Sequence, residues 1–196
     1  AHALARALFD AFDGTSGPYH EDDPKHPLNH YGRLKLAAED WIRGHVEQHV
    51  IGRTTNVFGW DPATRTPNFL MGLYRALSTG QPMRVPSYLW GNPTDAGDLA
   101  GALVELATRR LFGVYHLVGS SFVNRLDWAR RACAVLELNA NLLTEVAEPP
   151  AGMVPRPLRS WLATDRFRAL VDTPLGDVDA GLERMRRDRL ADPSPR

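Results

Sequence analysis

Short apolar runs alternate with longer segments of helical spacing along the chain. Strand patterns cover residues 50–58, 83–85, 113–119 and 143–146, and helical patterns cover residues 27–42, 68–79, 95–109, 124–138 and 177–189. Residues 1–12 are ambiguous between the two, and residues 13–29 hold two glycines and three prolines, which is typical of a long loop. Strands that alternate with helices of this length predict an α/β fold with a mostly parallel sheet.

The helix predicted over residues 27–42 carries the first candidate chemistry. Tyr31 and Lys35 are four residues apart, so they share a helix face. A free tyrosine titrates near 10, and a lysine charge about 4 Å away, at an effective dielectric near 20, supplies roughly the 4 kcal/mol that lowers its pKa by about three units. The same spacing is frequent by chance, so a tuned acid–base pair and two ordinary surface residues both fit.

The remaining positions of this helix predict its orientation. The apolar residues indicate a buried stripe, and the charged ones a face towards water. The predicted stripe is Leu34, Ala38, Trp41 and Ile42, and the predicted water-facing residues are Arg33, Glu39, Asp40 and Arg43.

Composition excludes several classes of protein. In 196 residues, 23 basic side chains balance 23 acidic ones, so net charge indicates neither nucleic acid nor an anionic membrane as partner. No apolar run reaches about eighteen residues, so no membrane span is predicted. Cys133 is the single cysteine, which excludes an internal disulfide and a cysteine metal cluster and favours a reducing, cytoplasmic setting.

Other polar residues receive structural interpretations. We expect Arg53 to form a strand-end salt bridge and His116 to be a half-buried, hydrogen-bonded histidine. Asp98 is expected to cap a helix or to pair at its start. The loop histidines His20, His26 and His30 lack the spacing of metal ligands, so no metal site is predicted.

Six segments together carry a family resemblance. They are F-D-G-T-S-G-P-Y-H-E-D-D-P (12–24), P-L-N-H-Y-G-R-L-K-L-A-A-E (27–39), R-T-T-N-V-F-G (53–59), G-N-P-T-D-A-G-D-L-A (91–100), G-V-Y-H-L-V-G (113–119) and R-P-L-R-S-W-L (156–162). In this order and spacing the chain resembles the later two thirds of an extended short-chain dehydrogenase/reductase, of the dTDP-4-dehydrorhamnose reductase branch. The resemblance implies NAD(P)H-dependent reduction of a 4-keto nucleotide sugar.

The resemblance also implies an architecture and a set of site residues. Residues 1–60 would be the remainder of a Rossmann-like NAD(P)-binding domain that lacks its first βαβ units. Residues 61–196 would mainly form a small α/β substrate-binding lobe, interleaved with the last Rossmann elements. Tyr31 would protonate the C4 oxygen, and Lys35 would lower the pKa of Tyr31 and hold the nicotinamide ribose. Thr55 and Asn56 would lie beside the cofactor, and Asn56, Val57 and Arg156 beside the sugar nucleotide.

Three departures from the family bear on function. None of the sixteen glycines forms the glycine-rich loop that binds the pyrophosphate, and about 90–100 preceding residues are expected to be missing. The stretch over residues 7–14 lacks the family's catalytic serine or threonine, and none occurs before Thr15. Asn56 replaces a tryptophan and T-D-A-G-D replaces T-Y-V-x-D, which leaves the particular sugar open.

These departures keep other readings open. The absence of the catalytic serine or threonine favours two alternatives. One is a non-catalytic relative, similar to the regulatory β subunit of methionine adenosyltransferase, and the other is an inactive fragment. Uncovered apolar edges and helix faces predict association with a second copy, as a homodimer, or with the missing half.

Overall fold

The computed structural model describes residues 2–8, 11–171 and 175–192, with side chains from residue 11 onward. The strands are β1 (His2–Leu8), β2 (Gln48–Thr54), β3 (Val57–Phe58), β4 (Met83–Pro86), β5 (Trp90–Gly91), β6 (Thr94–Asp95), β7 (Gly113–His116), β8 (Val123–Asn124), β9 (Leu143–Val146) and β10 (Arg159–Ser160). The helices are α1 (His30–His45), α2 (Phe69–Ser78), α3 (Ala96–Thr108), α4 (Arg125–Leu136), α5 (Asp165–Arg168) and α6 (Val178–Ala191).

The strands pair in parallel with one exception. β1, β2 and β7 form a three-stranded parallel sheet in that order, with β2 in the middle. β3 pairs with β6 and β4 with β9, again in parallel. In the third set, β10 pairs with β5 in parallel, and β5 pairs with β8 antiparallel. The predicted α/β fold with a mostly parallel sheet is confirmed.

Two larger apolar clusters form most of the described core. The first packs α3 against the β2–β7 sheet and includes Val50, Leu99, Ala102, Leu106, Tyr115, Leu117, Phe167 and Val171. The second joins α2, α4 and α6 and includes Phe58, Leu70, Leu73, Leu126, Trp128, Leu136, Val178 and Met185. These helices bury the apolar faces that their 3.6-residue spacing predicts.

Side-chain caps fix where the helices begin. Asn29, Asn68, Asn124 and Asp177 each accept a hydrogen bond from the backbone N–H three residues on. Asp95 accepts from the N–H groups of Gly97 and Asp98, the second and third residues of α3. Such caps satisfy donors that the first helical turn leaves unpaired. The helices predicted at these five places are therefore confirmed, to within a few residues at each end.

The predicted orientation of α1 is wrong for its apolar stripe and for Glu39, whereas Arg33, Asp40 and Arg43 are exposed as predicted. Leu34 and Trp41 are 56% and 59% exposed, Ala38 is also exposed, and Glu39 is only 3% exposed. The cause is electrostatic, because Arg53 of β2 donates to both carboxylate oxygens of Glu39, at 3.0 and 2.5 Å. A paired carboxylate therefore occupies the inner side of the helix that the apolar stripe was expected to fill.

Local backbone geometry accounts for the other differences. The strand predicted over residues 50–58 is interrupted after Thr54, where Asn56 adopts a left-handed φ of 45° that asparagine tolerates better than most residues. The two-residue strands β5, β6, β8 and β10 are too short to show a period in sequence. Within the described residues, no helix is long and apolar enough to cross a membrane.

Candidate functional site

A cavity of about 300 Å³ lies where α1, the end of β2 and the short strands β5 and β10 come together. Three of the residues singled out from sequence line it, although they belong to segments far apart along the chain: Tyr31, Asn56 and Arg156. The other lining residues are Leu89, Trp90, Val123, Arg125, Trp128, Pro157 and Ser160. Its volume is at the lower end of the range for ligand pockets.

The first turn of α1 presents Tyr31 to this cavity. Asn29 caps the helix by accepting from Gly32 N at 2.8 Å, and its side-chain amide donates to Pro155 O at 3.0 Å. This second bond ties the start of α1 to the segment that carries Arg156. Tyr31 is 42% exposed, and Lys35 Nζ lies 5.4 Å from the centroid of its ring. The ammonium group therefore stands over the aromatic face, as a cation–π pair.

The three residues after β2 diverge in direction. Asn56 faces the cavity, whereas Thr55 is buried and its hydroxyl donates to Asn92 O at 2.6 Å. Val57 is half-buried in β3 and packs against the cluster between α3 and the sheet. Of these three predicted residues, only Asn56 lies in the cavity with Tyr31 and Arg156. Thr55 makes a hydrogen bond outside it, and Val57 packs in an apolar cluster.

Arg125 is a charged cavity residue that sequence reasoning missed. Its Nη2 donates to Asn56 Oδ1 at 2.9 Å, and its Cζ lies 4.8 Å from the Phe69 ring centroid. Burial lowers the pKa of its guanidinium, with a further contribution from the nearby charge of Arg156. One sequence signal was available, because an arginine in the first turn of a helix opposes the helix dipole.

A glycine and an aromatic stack contact two of the lining residues, Asn56 and Trp90. A Cβ at Gly91 would lie 2.4 Å from Asn56 Nδ2, so the missing side chain leaves the room that the Asn56 amide occupies. Trp90 stacks on Phe122 with ring centroids 5.6 Å apart, and Phe122 stacks on Trp161 at 4.7 Å. The Ser160 hydroxyl is the aliphatic hydroxyl among the lining residues.

A buried ionic network lies behind the cavity. Besides Glu39, Arg53 donates through Nη1 to Glu21 O at 2.9 Å and lies 3.3 Å from His116 Nε2. His116 N donates to Glu21 Oε1 at 2.9 Å, and the His116 ring contacts Ala163 O through Nδ1 at 3.1 Å. The predicted Arg53 salt bridge and the satisfied His116 are both confirmed, although His116 is fully buried rather than half-buried.

Other predicted polar residues also find partners. Asp98 accepts from Gly176 N at 3.0 Å and pairs with Arg184 at 2.6 Å, so its predicted pairing is confirmed. Burial raises the pKa of its neighbour Asp95, the cap of α3. In the described residues no group of three or more histidine, cysteine or acidic side chains is placed to hold a metal ion.

The loop over residues 13–29 forms a second, smaller cavity of about 270 Å³. Asp13 accepts from the Tyr19 hydroxyl at 2.6 Å and from the Thr15 hydroxyl at 2.9 Å, and the Tyr19 bond is the main cause of its lowered pKa. Thr15, the first hydroxyl residue of the chain, thus lines this cavity and not that of Tyr31. Phe9 and Asp10, in the stretch where the family has its catalytic hydroxyl, lie outside the described residues.

Comparisons with known proteins agree with this architecture. Residues 9–190 match the family described as RmlD substrate binding domain. The dTDP-4-dehydrorhamnose reductase of Salmonella typhimurium is 33% identical over 190 residues, which cover 89% of this chain and 61% of that enzyme. Methionine adenosyltransferase 2 subunit beta of Xenopus tropicalis is 27% identical over 165 residues, covering 81% of this chain and 49% of that protein.

A solved structure shows the same fold. The crystal structure of dTDP-4-dehydrorhamnose reductase from Bacillus anthracis, in complex with NADP, has a TM-score of 0.86 at 22% identity, over 94% of this chain and 65% of that one. The predicted Rossmann-like α/β class is thereby confirmed. The chain spans about half to two thirds of the length of the proteins that it matches. Because the family match covers residues 9–190 of the 196, the chain belongs to the RmlD substrate-binding domain family.

Proposed function

We propose that this chain supplies the proton donor and the nucleotide-sugar site for NAD(P)H-dependent reduction of a 4-keto nucleotide sugar, in the manner of a dTDP-4-dehydrorhamnose reductase. One observation carries the proposal: Tyr31, Asn56 and Arg156, each implied by a different motif, line a single cavity. Family membership and the 33% identity to the Salmonella reductase support the same assignment.

The charge of the cavity fits a nucleotide sugar. Two guanidinium groups, Arg125 and Arg156, line it, and none of the described residues that line it is acidic. A nucleoside diphosphate sugar carries an anionic diphosphate, which guanidinium groups bind through paired hydrogen bonds. Asn56 accepts from Arg125 and so fixes the direction of that guanidinium before a ligand arrives. We assign the diphosphate to these two arginines and the keto sugar to the end near Tyr31.

The proton step follows from the position of Tyr31. As hydride adds to C4 of the sugar, the carbonyl oxygen gains negative charge, and the Tyr31 hydroxyl donates the proton that completes the alcohol. The phenolate left on Tyr31 is stabilised by the ammonium of Lys35, which stands over its ring at 5.4 Å. Both groups are on α1, so one helix determines their relation to the substrate.

The residues present fit only the nicotinamide end of a cofactor. When bound, NADP(H) or NAD(H) supplies the hydride. We expect Tyr31 and Lys35 to contact its ribose from α1. Asn56 lies in the same cavity as Tyr31, whereas Lys35 is not among the residues that line it. The proposed contact of Thr55 with the cofactor runs through its backbone, because its hydroxyl is engaged with Asn92. The glycine-rich loop for the pyrophosphate is not among the glycines of this chain.

Isothermal titration of thymidine diphosphate into the chain tests the nucleotide site. Arg125→Gln and Arg156→Gln should each weaken binding by about 10- to 100-fold, since a hydrogen bond to a charged group is worth about 1.5–3 kcal/mol. Arg130→Gln is the matched control, because Arg130 lies on the same helix but pairs with Asp127 at the surface. Equal affinities for thymidine diphosphate in all three variants would show that the diphosphate does not bind in this cavity.

A non-catalytic sugar-nucleotide-binding role is the second candidate. No serine or threonine precedes Thr15, and Thr15 lies in the other cavity. The 27% identity to the methionine adenosyltransferase subunit fits such a role. Under this alternative, thymidine diphosphate binds, but the natural protein does not oxidise NADPH with any 4-keto nucleotide sugar. An inactive fragment would show neither property.

Three further assignments stay predictions. They are the boundary at residue 60 between a cofactor-binding part and the substrate lobe, a cytoplasmic location, and a homodimer. The apolar side chains that α1 exposes, Leu34 and Trp41, favour association with a second copy. Sedimentation equilibrium measures directly whether the protein is a homodimer.

A further inference from the structure

The buried side chain of the helix that carries Tyr31 is a charged one, Glu39. Of its sixteen residues, Gly32 and Glu39 are the buried ones, and Gly32 has no side chain with which to hold a position. Glu39 therefore makes the buried side-chain contact of α1, through its two bonds from Arg53. The apolar residues Leu34 and Trp41 point away from this contact and are exposed.

Glu39 is placed to control where Tyr31 stands. Tyr31, Lys35 and Glu39 follow one another at intervals of four residues, along a single ridge of the helix. At 1.5 Å per residue, Glu39 lies about 12 Å along the axis from Tyr31. Because a hydrogen-bonded helix moves as a stiff rod over this length, a rotation or slide at Glu39 displaces Tyr31 as well.

Arg53 fixes the other elements around the cavity. Its Nη1 donates to Glu21 O at 2.9 Å, so the same guanidinium holds the loop that precedes α1. Arg53 is also three residues before Asn56, which lines the cavity at the end of β2. One side chain thus relates the Tyr31 helix to the loop before it and to the strand that delivers Asn56.

We propose that Glu39 and Arg53 are positioning residues, whose ion pair sets the rotation and height of α1 at which the Tyr31 hydroxyl meets the substrate. The inference rests on the proposed role of Tyr31 as proton donor. Neither Glu39 nor Arg53 lines the cavity, so both act through the helix and not on the ligand.

The chemistry of the pair separates positioning from stability. Apolar side chains of similar volume commonly replace a buried ion pair without loss of stability, because they avoid the desolvation of two charges. Two parallel hydrogen bonds from a planar fork add direction, since they are satisfied at one relative placement of helix and strand. An apolar pair fills the same space but allows small slides and rotations.

The test compares variants of the protein at its natural length. Glu39→Gln and the double variant Glu39→Leu/Arg53→Met should lower kcat by about 10- to 100-fold, the loss expected for a misplacement of about 1 Å. KM and the dissociation constant for thymidine diphosphate should stay within about twofold, because the cavity arginines are untouched. The double variant leaves no unpaired charge, so it should melt above Glu39→Gln, but below the parent because Glu21 O and His116 Nε2 lose the Arg53 guanidinium.

Arg184→Gln is the matched control, because it breaks ion pairs with Asp95 and Asp98 away from α1 and should keep the parent's kcat. If the double variant recovers kcat together with its melting temperature, the pair is structural and the inference is overturned. If Glu39→Gln unfolds, the double variant alone decides. A parental kcat in Tyr31→Phe would instead refute the proposed function, whereas a low kcat there and a normal one in Glu39→Gln would refute the positioning role alone.

Discussion

Lowering the pH from 7 to 5 should destabilise this fold through one residue, His116. The ring is fully buried, and burial, with a further contribution from the Arg53 charge, lowers its pKa from 6.5 to about 3. Nδ1 lies 3.1 Å from Ala163 O and Nε2 lies 3.3 Å from Arg53 Nη1. A neutral ring that donates through Nδ1 and accepts through Nε2 satisfies both contacts, whereas a protonated ring sets its Nε2–H against the guanidinium.

The sign of the effect follows from proton binding. Between pH 6.5 and about 3 the unfolded chain holds a proton on this ring that the folded chain excludes, so stability is lost as the pH falls. At 1.36 kcal/mol per unit, the roughly 1.5 units between 6.5 and pH 5 correspond to about 2 kcal/mol. For a chain of this length that is about 4–8 °C in Tm.

Urea denaturation followed by circular dichroism, at pH 7 and at pH 5, measures this loss. His116→Gln is the control, because glutamine keeps a donor and an acceptor but does not titrate. The other histidines and the carboxylates are common to both proteins, so the difference between the two losses isolates His116. The parent should lose about 2 kcal/mol more than the variant. Equal losses would show that His116 is not held neutral in the fold.

Four other substitutions test particular contacts. Gly119→Ala places a Cβ 2.0 Å from Pro93 O, a main-chain atom, and should destabilise the fold by about 1–3 kcal/mol or more in thermal unfolding, whereas Gly72→Ala in α2, with open space around it, should stabilise it by about 1 kcal/mol. Gly119→Ala should therefore melt below Gly72→Ala, and the reverse order would contradict the close approach of Gly119 to Pro93 O. Gly91→Ala brings a methyl group to 2.4 Å from Asn56 Nδ2, so the Asn56 amide must turn and release Arg125. Calorimetry should then show an affinity for thymidine diphosphate about tenfold lower, at an unchanged Tm. An unchanged affinity would contradict the role of Asn56. Ser160→Ala removes the aliphatic hydroxyl from the cavity; if Ser160 takes the place of the missing family serine, kcat falls about tenfold or more at a constant KM, and an unaltered kcat excludes it.

The elements of the fold were predictable because period and caps are local signals. Residues 68–79, 95–109 and 124–138 show helical spacing, and an asparagine or aspartate at each start caps the observed helix. The strand over residues 143–146 has the predicted bounds. Two-residue strands such as β5 and β10 exist because distant segments meet there, which no local pattern reports.

The orientation of α1 shows where sequence reasoning fails. Spacing alone assigns Trp41 to the core and Glu39 to water, yet the structure does the reverse. The deciding interaction is with Arg53, fourteen residues away on β2, and a helical period does not record a partner on another element. Arg125 was missed for the same reason, because its role depends on Asn56, which comes from the end of a different strand.

We propose that Tyr31 donates the proton when a substrate in this cavity is reduced, and the variant Tyr31→Phe of the natural protein measures that contribution. NADPH oxidation with a 4-keto nucleotide sugar is followed at saturating substrate, and nucleotide binding is titrated in parallel. We expect the kcat of Tyr31→Phe to fall by about 10²–10⁴, which is the contribution of a positioned acid. The dissociation constants for NADPH and thymidine diphosphate should change by no more than about twofold. A variant that keeps the parent's kcat would contradict this proposal.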